Sequence, residues 1–414
     1  MPCSRCGGDS MPKKRSRQGR SWLPLALTLL LMTALGVTYA LRVPFGQAPD
    51  ESAHWQYVRH LATTHHLPVF RPGQGGYEFH QPPLFYALAL LGGGHYLGAR
   101  VVNLALGLSV VLLTSLLALE YTGGRRNVAL AAAGIAAFLP MQVFLSATVN
   151  NDVVLTAAFG GALWLGVRML ARGPSLRLAA GLGLFAGIGL LAKTSAVLLL
   201  PIGVLAILLA GAKGEPVGRV LGQMALFLAV TLSLGGWWLV RNAVLYGDPL
   251  TLSAFSAAFT KAPTPDYFLS RGVTPFWYGV LVTGWTTASF WGVFGNMNVF
   301  LPWPVYLALS GIPVGAIAGQ ARPAVAPQPW QRRACLLLGA TAVLLLAAYA
   351  RFNLEYFQAQ ARYLLPALPA FALAFAAGWE RLLPARARSW GLAAPAAVLC
   401  VVSWWAIQFL PGGR

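Results

Sequence analysis

Apolar runs of about 17–21 residues recur along this chain, and runs of that length with few charges read as membrane-spanning helices. About eleven can be marked. They cover residues 22–41, 98–119, 127–145, 152–170, 177–191 and 195–212, then 219–239, 300–319, 334–350, 363–383 and 391–410. The pattern predicts an all-α polytopic membrane protein. Two polar intervals are long, 42–97 and 241–299. Both mix Trp, Tyr, Phe and Pro with polar residues, the composition of helices and turns lying on a membrane surface. Loops that long in a compact protein are usually functional.

Composition agrees with the pattern. The chain is 57% hydrophobic and 10% charged, where a soluble domain carries about a quarter charged residues. The charges sort by loop. Lys13, Lys14, Arg15, Arg125, Arg126, Arg172, Arg177, Arg219, Arg322, Arg332, Arg333, Arg381, Arg386 and Arg388 fall on one side of the predicted membrane. Asp50, Glu51, Glu78, Asp152, Asp248, Asp266 and Glu355 fall on the other. The basic side is cytoplasmic by the positive-inside rule, which puts the N-terminus inside and both long loops outside. The net charge of +19 thus follows from topology. Its basic residues form no single stripe, so nucleic acid is not an expected partner.

The expected organisation is a basic cytoplasmic tail over 1–20 and one transmembrane domain over 21–414 in the plasma (inner) membrane. Outer loop 42–97 carries the chemistry, and outer loop 241–299 accompanies it. The first run has a basic flank and a Thr38-Tyr39-Ala40 sequence like a cleavage site, yet it is longer than a signal-peptide core, so a retained helix is expected. Met11 is an alternative start. Cys3 and Cys6 form a lone C-x-x-C pair, and Cys335 and Cys400 sit in spans. Neither a disulfide framework nor a zinc site is expected.

Candidate chemistry starts at Pro49-Asp50-Glu51. A carboxylate near lipid is costly without a partner or a task, and the chain has only 11 acidic residues. Asp50 reads either as the cap of a following helix, with Glu51 against its dipole, or as a general base at the membrane surface. On that helix Asp50 and His54 share a face, as do Glu51, Trp55 and Arg59, which places a cation one or two turns from the carboxylates where a donor phosphate could use it. Glu78 and His80 precede Pro82-Pro83, a helix start, and read either as solvated loop residues or as further site residues. Asn150-Asn151-Asp152 serves either a tight helical hairpin or the same site. Lys193, between two spans with almost no loop, reads as a snorkelling cation or a phosphate contact. Arg241, Arg351 and Arg362 lie on the same side and read as interface anchors or, together, as groups that neutralise a leaving phosphate. No Gly-rich phosphate loop, G-x-S-x-G or H-E-x-x-H occurs.

With these residues in place the sequence resembles the GT-C superfamily of membrane glycosyltransferases. It is most similar to the bacterial branch related to protein O-mannosyltransferases and lipid A aminoarabinose transferases. The likeness lies in PDESAHWQYVRHLATTHHLPV, FHQPPLFYAL, TVNND, LLAKTSAVLLLP, GWWLVRNAVLYGDPL, SFWGVFGNMNV and QARYLLPALPAFAL. The resemblance implies a catalytic base at Asp50, with Glu51 beside it, and an acceptor-side acid at Asp152. It implies a polyprenyl-phosphate sugar as donor, held through Lys193, Arg241 and Arg362, with no cofactor and no required divalent metal. The absence of a large soluble C-terminal region sets this chain apart from the oligosaccharyltransferases of the superfamily and from acceptors carrying a sequon. The expected reaction is an inverting transfer to a lipid, glycan or protein hydroxyl at the outer face. The rival class is a multi-spanning transporter or lipid flippase. Such proteins place polar groups near the midplane in related halves, whereas here they cluster at one face.

Overall fold

The computed structural model describes residues 22–212, 214–259, 262–322 and 326–410. The basic tail, Cys3, Cys6 and both candidate starts lie outside the described residues. The described residues are mostly helical. A long first helix α1 (Leu23–Arg42) leads into a loop carrying α2 (Glu51–Thr64) and the short α3 (Leu84–Ala89). Then come α4 (Tyr96–Tyr121), α5 (Arg126–Phe138), α6 (Pro140–Ser146), α7 (Asp152–Arg172), α8 (Leu176–Ala192), α9 (Leu199–Gly211) and α10 (Val217–Tyr246). The second loop carries α11 (Leu252–Ala258), α12 (Pro265–Leu269) and α13 (Pro275–Trp291). A two-residue hairpin of β1 (Val293–Phe294) and β2 (Val299–Phe300) follows, with Val293 opposite Phe300. The chain closes with α14 (Trp303–Gln320), α15 (Pro329–Asn353), α16 (Leu368–Leu382), α17 (Arg388–Gly391) and α18 (Ala394–Ala406).

Every apolar run marked in the sequence falls on helix. Among the described residues seven helices are long and apolar enough to cross a membrane, or eight when the bent pair α5–α6 counts as one span. The remaining runs form α8 and the segment Ala394–Phe409, both apolar but shorter, and α14. Two boundaries differ from expectation. The run 127–145 bends by 62° between α5 and α6, because Leu139 precedes a proline and is held extended. Helix α10 continues to Tyr246, so Arg241 belongs to a helix and not to the second loop.

Helix α7 is the central post, with 83% of its apolar window buried, whereas α10 is peripheral at 17%. Alternation of direction brings the N-termini of α2 and α7, the C-terminus of α8 and the start of α16 to one end of the bundle. The other end is fastened by Glu120, which accepts from Arg172 at 2.7 and 2.9 Å, and by an Arg125–Glu380 pair.

Candidate active site

The polar end is built by side chains that satisfy helix termini. Asn103 donates to the carbonyls of Leu145 and Thr148 at 2.9 and 2.6 Å, and Asn150 donates to Leu145 at 2.6 Å. The terminal carbonyls of α6 thereby find partners. Asn151 does the same for α8 through the Ala192 carbonyl at 3.0 Å, and Asn150 Oδ1 accepts from the Asp152 N–H at 3.1 Å. So Asn150-Asn151 locks the hairpin and leaves Asp152 at the first turn of α7, facing the break where Lys193 is extended.

Asp50 stands at the start of α2 with φ +59°, left-handed backbone that is uncommon for a non-glycine residue. In this conformation its side chain makes no capping hydrogen bond. The carboxylate turns instead to Arg362, whose Nη2 donates to Oδ2 at 2.6 Å. Arg362 also approaches Asp152 at 3.7 Å, and Lys193 Nζ donates to Asp152 Oδ1 at 2.5 Å. Tyr363 packs beside both cations, its ring 5.0 Å from the Arg362 guanidinium and 5.4 Å from Lys193 Nζ. Asp50, Asp152, Lys193 and Arg362 thus form one chain of opposite charges, although they come from four distant parts of the sequence.

His54 and Glu78 complete the cluster on the Asp50 side. His54 is buried and its Nδ1 lies 2.9 Å from the Tyr86 hydroxyl, and Tyr86 stacks on Tyr57 at 3.7 Å. Burial holds the His54 imidazole down at about 4 against the pull of Asp50, so it is neutral at physiological pH. Burial raises the Glu78 carboxyl to about 8, and neighbouring Asp50 adds to the rise. For Asp50, burial acts upward, but Arg362, His54 and Lys193 outweigh it and hold the carboxyl below its usual range. Two carboxyl groups in one cluster are therefore driven apart: Asp50 is ionised and Glu78 favours its proton.

Next to the network opens a cavity of about 490 Å³. Asp152, Lys193, His80 and Tyr363 line its polar side, and Leu155, Val197, Leu198, Leu252 and Leu345 its apolar side. Phe255 and Phe352 add an aromatic wall, with ring centres 5.8 Å apart. Arg351 and Glu355, paired at 3.3 Å, stand among the lining residues and are exposed.

The structure brings Asp50, Asp152, Lys193, Arg362, Glu78 and His80 together and separates three others. Glu51 points away. Both its oxygens are bound by Arg100, at 2.8 and 2.7 Å, and by the backbone N–H groups of Val149 and Gly46, each at 3.0 Å. A fully buried carboxylate with those four donors has a structural task, which corrects its expected place beside Asp50 in the chemistry. Arg59 lies on the exposed face of α2. Arg241 donates to the Pro68 carbonyl at 2.6 Å and packs on Trp238, so it fastens the first loop to α10 and does not line the cavity. Two residues went unnoticed in the sequence. Arg100 carried a signal, a lone charge in the first turns of an apolar run. Tyr363 carried none.

The dolichyl-phosphate-mannose-protein mannosyltransferase family matches residues 81–238. No curated protein matches the sequence. ArnT from Cupriavidus metallidurans, in a crystal structure bound to undecaprenyl phosphate, has a similar fold with a TM-score of 0.58 at 17% identity, over 93% of this chain and 64% of that one. Its apo form gives 0.56 at 16% identity, over 93% and 65%. The Archaeoglobus fulgidus oligosaccharyltransferase, in complex with Zn and sulfate, gives 0.56 at 13%, over 94% and 54%. The chain therefore spans less than two thirds of each of these proteins. The resemblance to the GT-C superfamily is borne out, and the fold is that of its membrane glycosyltransferases.

Proposed function

We propose that this protein is a membrane glycosyltransferase that moves a sugar from a polyprenyl-phosphate donor to a hydroxyl of an envelope lipid, glycan or protein. The observation that carries the reading is the Asp50–Arg362–Asp152–Lys193 chain at the rim of a cavity that is polar on one side and apolar on the other. Such a cavity suits a ligand with a charged head and a hydrocarbon tail. The ArnT structure bound to undecaprenyl phosphate supports the donor class.

The reaction follows from the charges. Arg362 holds Oδ2 of Asp50, which leaves Oδ1 to take the proton of the acceptor hydroxyl. The acceptor oxygen forms its bond to the anomeric carbon on the face opposite the phosphate, and the carbon–oxygen bond to phosphate breaks. That oxygen leaves with the electron pair, where Lys193 and Arg362 meet its growing charge. Inversion at the anomeric carbon is the consequence of a single displacement. A donor phosphate also competes with Asp50 for Arg362, so donor binding makes Asp50 a stronger base. The scarcity of acids on the basic side of the predicted membrane supports an extracytoplasmic site, where the donor is a lipid-linked sugar.

The test uses purified protein, a polyprenyl-phosphate sugar and membrane acceptors, with glycan products read by mass spectrometry. Asp50→Asn is expected to remove the product. Undiminished product from a folded Asp50→Asn protein would overturn the proposal.

A further inference from the structure

We propose that the end of the bundle opposite the Asp152 cavity holds an anionic phospholipid by its headgroup, best matched by a lipid with two phosphodiesters. A second cavity of about 550 Å³ lies there, larger than the one beside Asp152 and within the roughly 300–1,000 Å³ of small-ligand pockets. Tyr121, Arg125, Gln328, Glu380, Arg381 and Arg388 line it. They come from the end of α4, the starts of α5 and α15, the last turn of α16, and α17. The transfer reaction uses none of them, so the site stands apart from the transferase reading.

Charge identifies the ligand as an anion. Three arginines against one glutamate leave the lining with a net charge of +2. Glu380 pairs with Arg125. The other two guanidinium groups are held by neutral acceptors. Arg381 Nη1 donates to the Gln320 side-chain oxygen at 2.6 Å, and Arg388 Nε donates to the Leu383 carbonyl at 3.2 Å. Among the described residues neither has a carboxylate at ion-pair distance. Arg168, Arg172 and Arg219, at the same end, are matched by Glu120 and Glu215. The unmatched positive charge is thus gathered at the cavity. A guanidinium fork presents five N–H donors in a geometry that fits phosphate oxygens, and one bond to a neutral acceptor leaves most of them for an anion.

Position selects a lipid over a soluble anion. Helices α4 and α15 and the segment Ala361–Leu382 are each long and apolar enough to cross a membrane. The cavity therefore lies where three spans leave the hydrocarbon, at the depth of headgroups. Ala377, one turn further into α16, lines it as well. Trp330 packs edge-on against Tyr121 with ring centres 6.4 Å apart, and Trp390 on α17 is exposed. Tryptophan and tyrosine concentrate at this depth. Basic pockets between spans take phosphate-bearing headgroups, and two phosphodiesters balance the charge of +2. A lipid seated here ties α4, α15 and α16 together. Helix α16 is entered through the turn that carries Arg362, so the lipid steadies an element of the charged chain from its far end.

The experiment is native mass spectrometry of the full-length protein, delipidated in detergent and titrated with cardiolipin or with phosphatidylcholine. One tightly held cardiolipin per chain is expected, with phosphatidylcholine lost under the same conditions. Arg381→Ala and Arg388→Ala should each weaken cardiolipin binding about fivefold, the effect of one arginine at an anionic membrane surface, and the double variant about 25-fold. Arg388→Lys keeps the charge and should bind close to the parent. Arg219→Ala, whose charge Glu215 already matches, should bind as the parent does. Arg388 is exposed on a four-residue helix, so its variants carry the test even where Arg381→Ala folds poorly. Cardiolipin held equally by parent and Arg388→Ala, or no more tightly than phosphatidylcholine, would overturn the site. Displacement of the lipid by millimolar inorganic phosphate would assign the cavity to a soluble anion and overturn the lipid as its occupant.

Discussion

Asp50 and Glu51 are neighbours with opposite fates, and the difference is set by backbone. Successive helical residues project about 100° apart, so the pair cannot point the same way. The left-handed turn at Asp50 sets the two directions. It swings the first carboxylate to Arg362 and sends the second inward to Arg100, 49 residues away in sequence. The sequence showed that acids are scarce here and therefore meaningful. It did not show which acid joins the charged chain, because neither Arg100 nor Arg362 is near in the sequence. Substitution separates the two. Asp50→Asn is expected to lower turnover by about 10²–10⁴-fold, the range for a lost general base, with little change in melting temperature. Arg100→Ala leaves Glu51 buried and unpaired, which costs about 3–5 kcal/mol, and is expected to appear as poor folding yield and a lowered melting temperature. Arg59→Ala, on the exposed face of α2, should change neither turnover nor melting. A large loss of turnover in Arg59→Ala would return that residue to the site.

At the scale of elements, the apolar periodicity located the helices well because a run that must cross hydrocarbon has a fixed minimum length. Bends and close crossings were less legible. Pro140 announced the break in α5–α6, but its consequence depends on what packs there. The crossing of α14 and α16 was not visible at all. There a Cβ on Gly319 would sit 1.9 Å from the Gly378 carbonyl, and one on Gly378 would sit 2.3 Å from that of Ala316. The two backbones touch, as small residues allow between membrane helices. Arg362 lies in the helical turn Ala361–Ala367 that runs directly into α16. Gly378→Val is therefore expected to push α16 away from α14, lowering the melting temperature and, through the displaced Arg362, the turnover. Gly339→Val, where nothing stands within 4 Å of an added Cβ, is the control and should be tolerated. Equal melting temperatures for the two variants would remove the backbone contact as a stabilising feature.

Over the whole molecule, the charges make a single argument about direction. Acids and cations that pair with each other across long sequence separations occupy one end, around the cavity. The arginines at the other end pair at the surface or lie exposed, as at Arg172 and Arg219. Interfacial arginines of that kind are held by the cytoplasmic leaflet, so the cavity end is expected to face away from the cytoplasm. The exposed turn at Gln74, in the loop between α2 and α3, reports on this directly. Cys335→Ser and Cys400→Ser remove the free thiols of the described residues, and Gln74→Cys then adds one at the cavity end. A membrane-impermeant maleimide should label this cysteine in intact cells, with Arg219→Cys at the opposite end reacting only after lysis. The reverse pattern would place the cavity with the cytoplasmic pool of nucleotide sugars. The reason for a lipid-linked donor would then disappear, even if every residue of the charged chain stayed where it is.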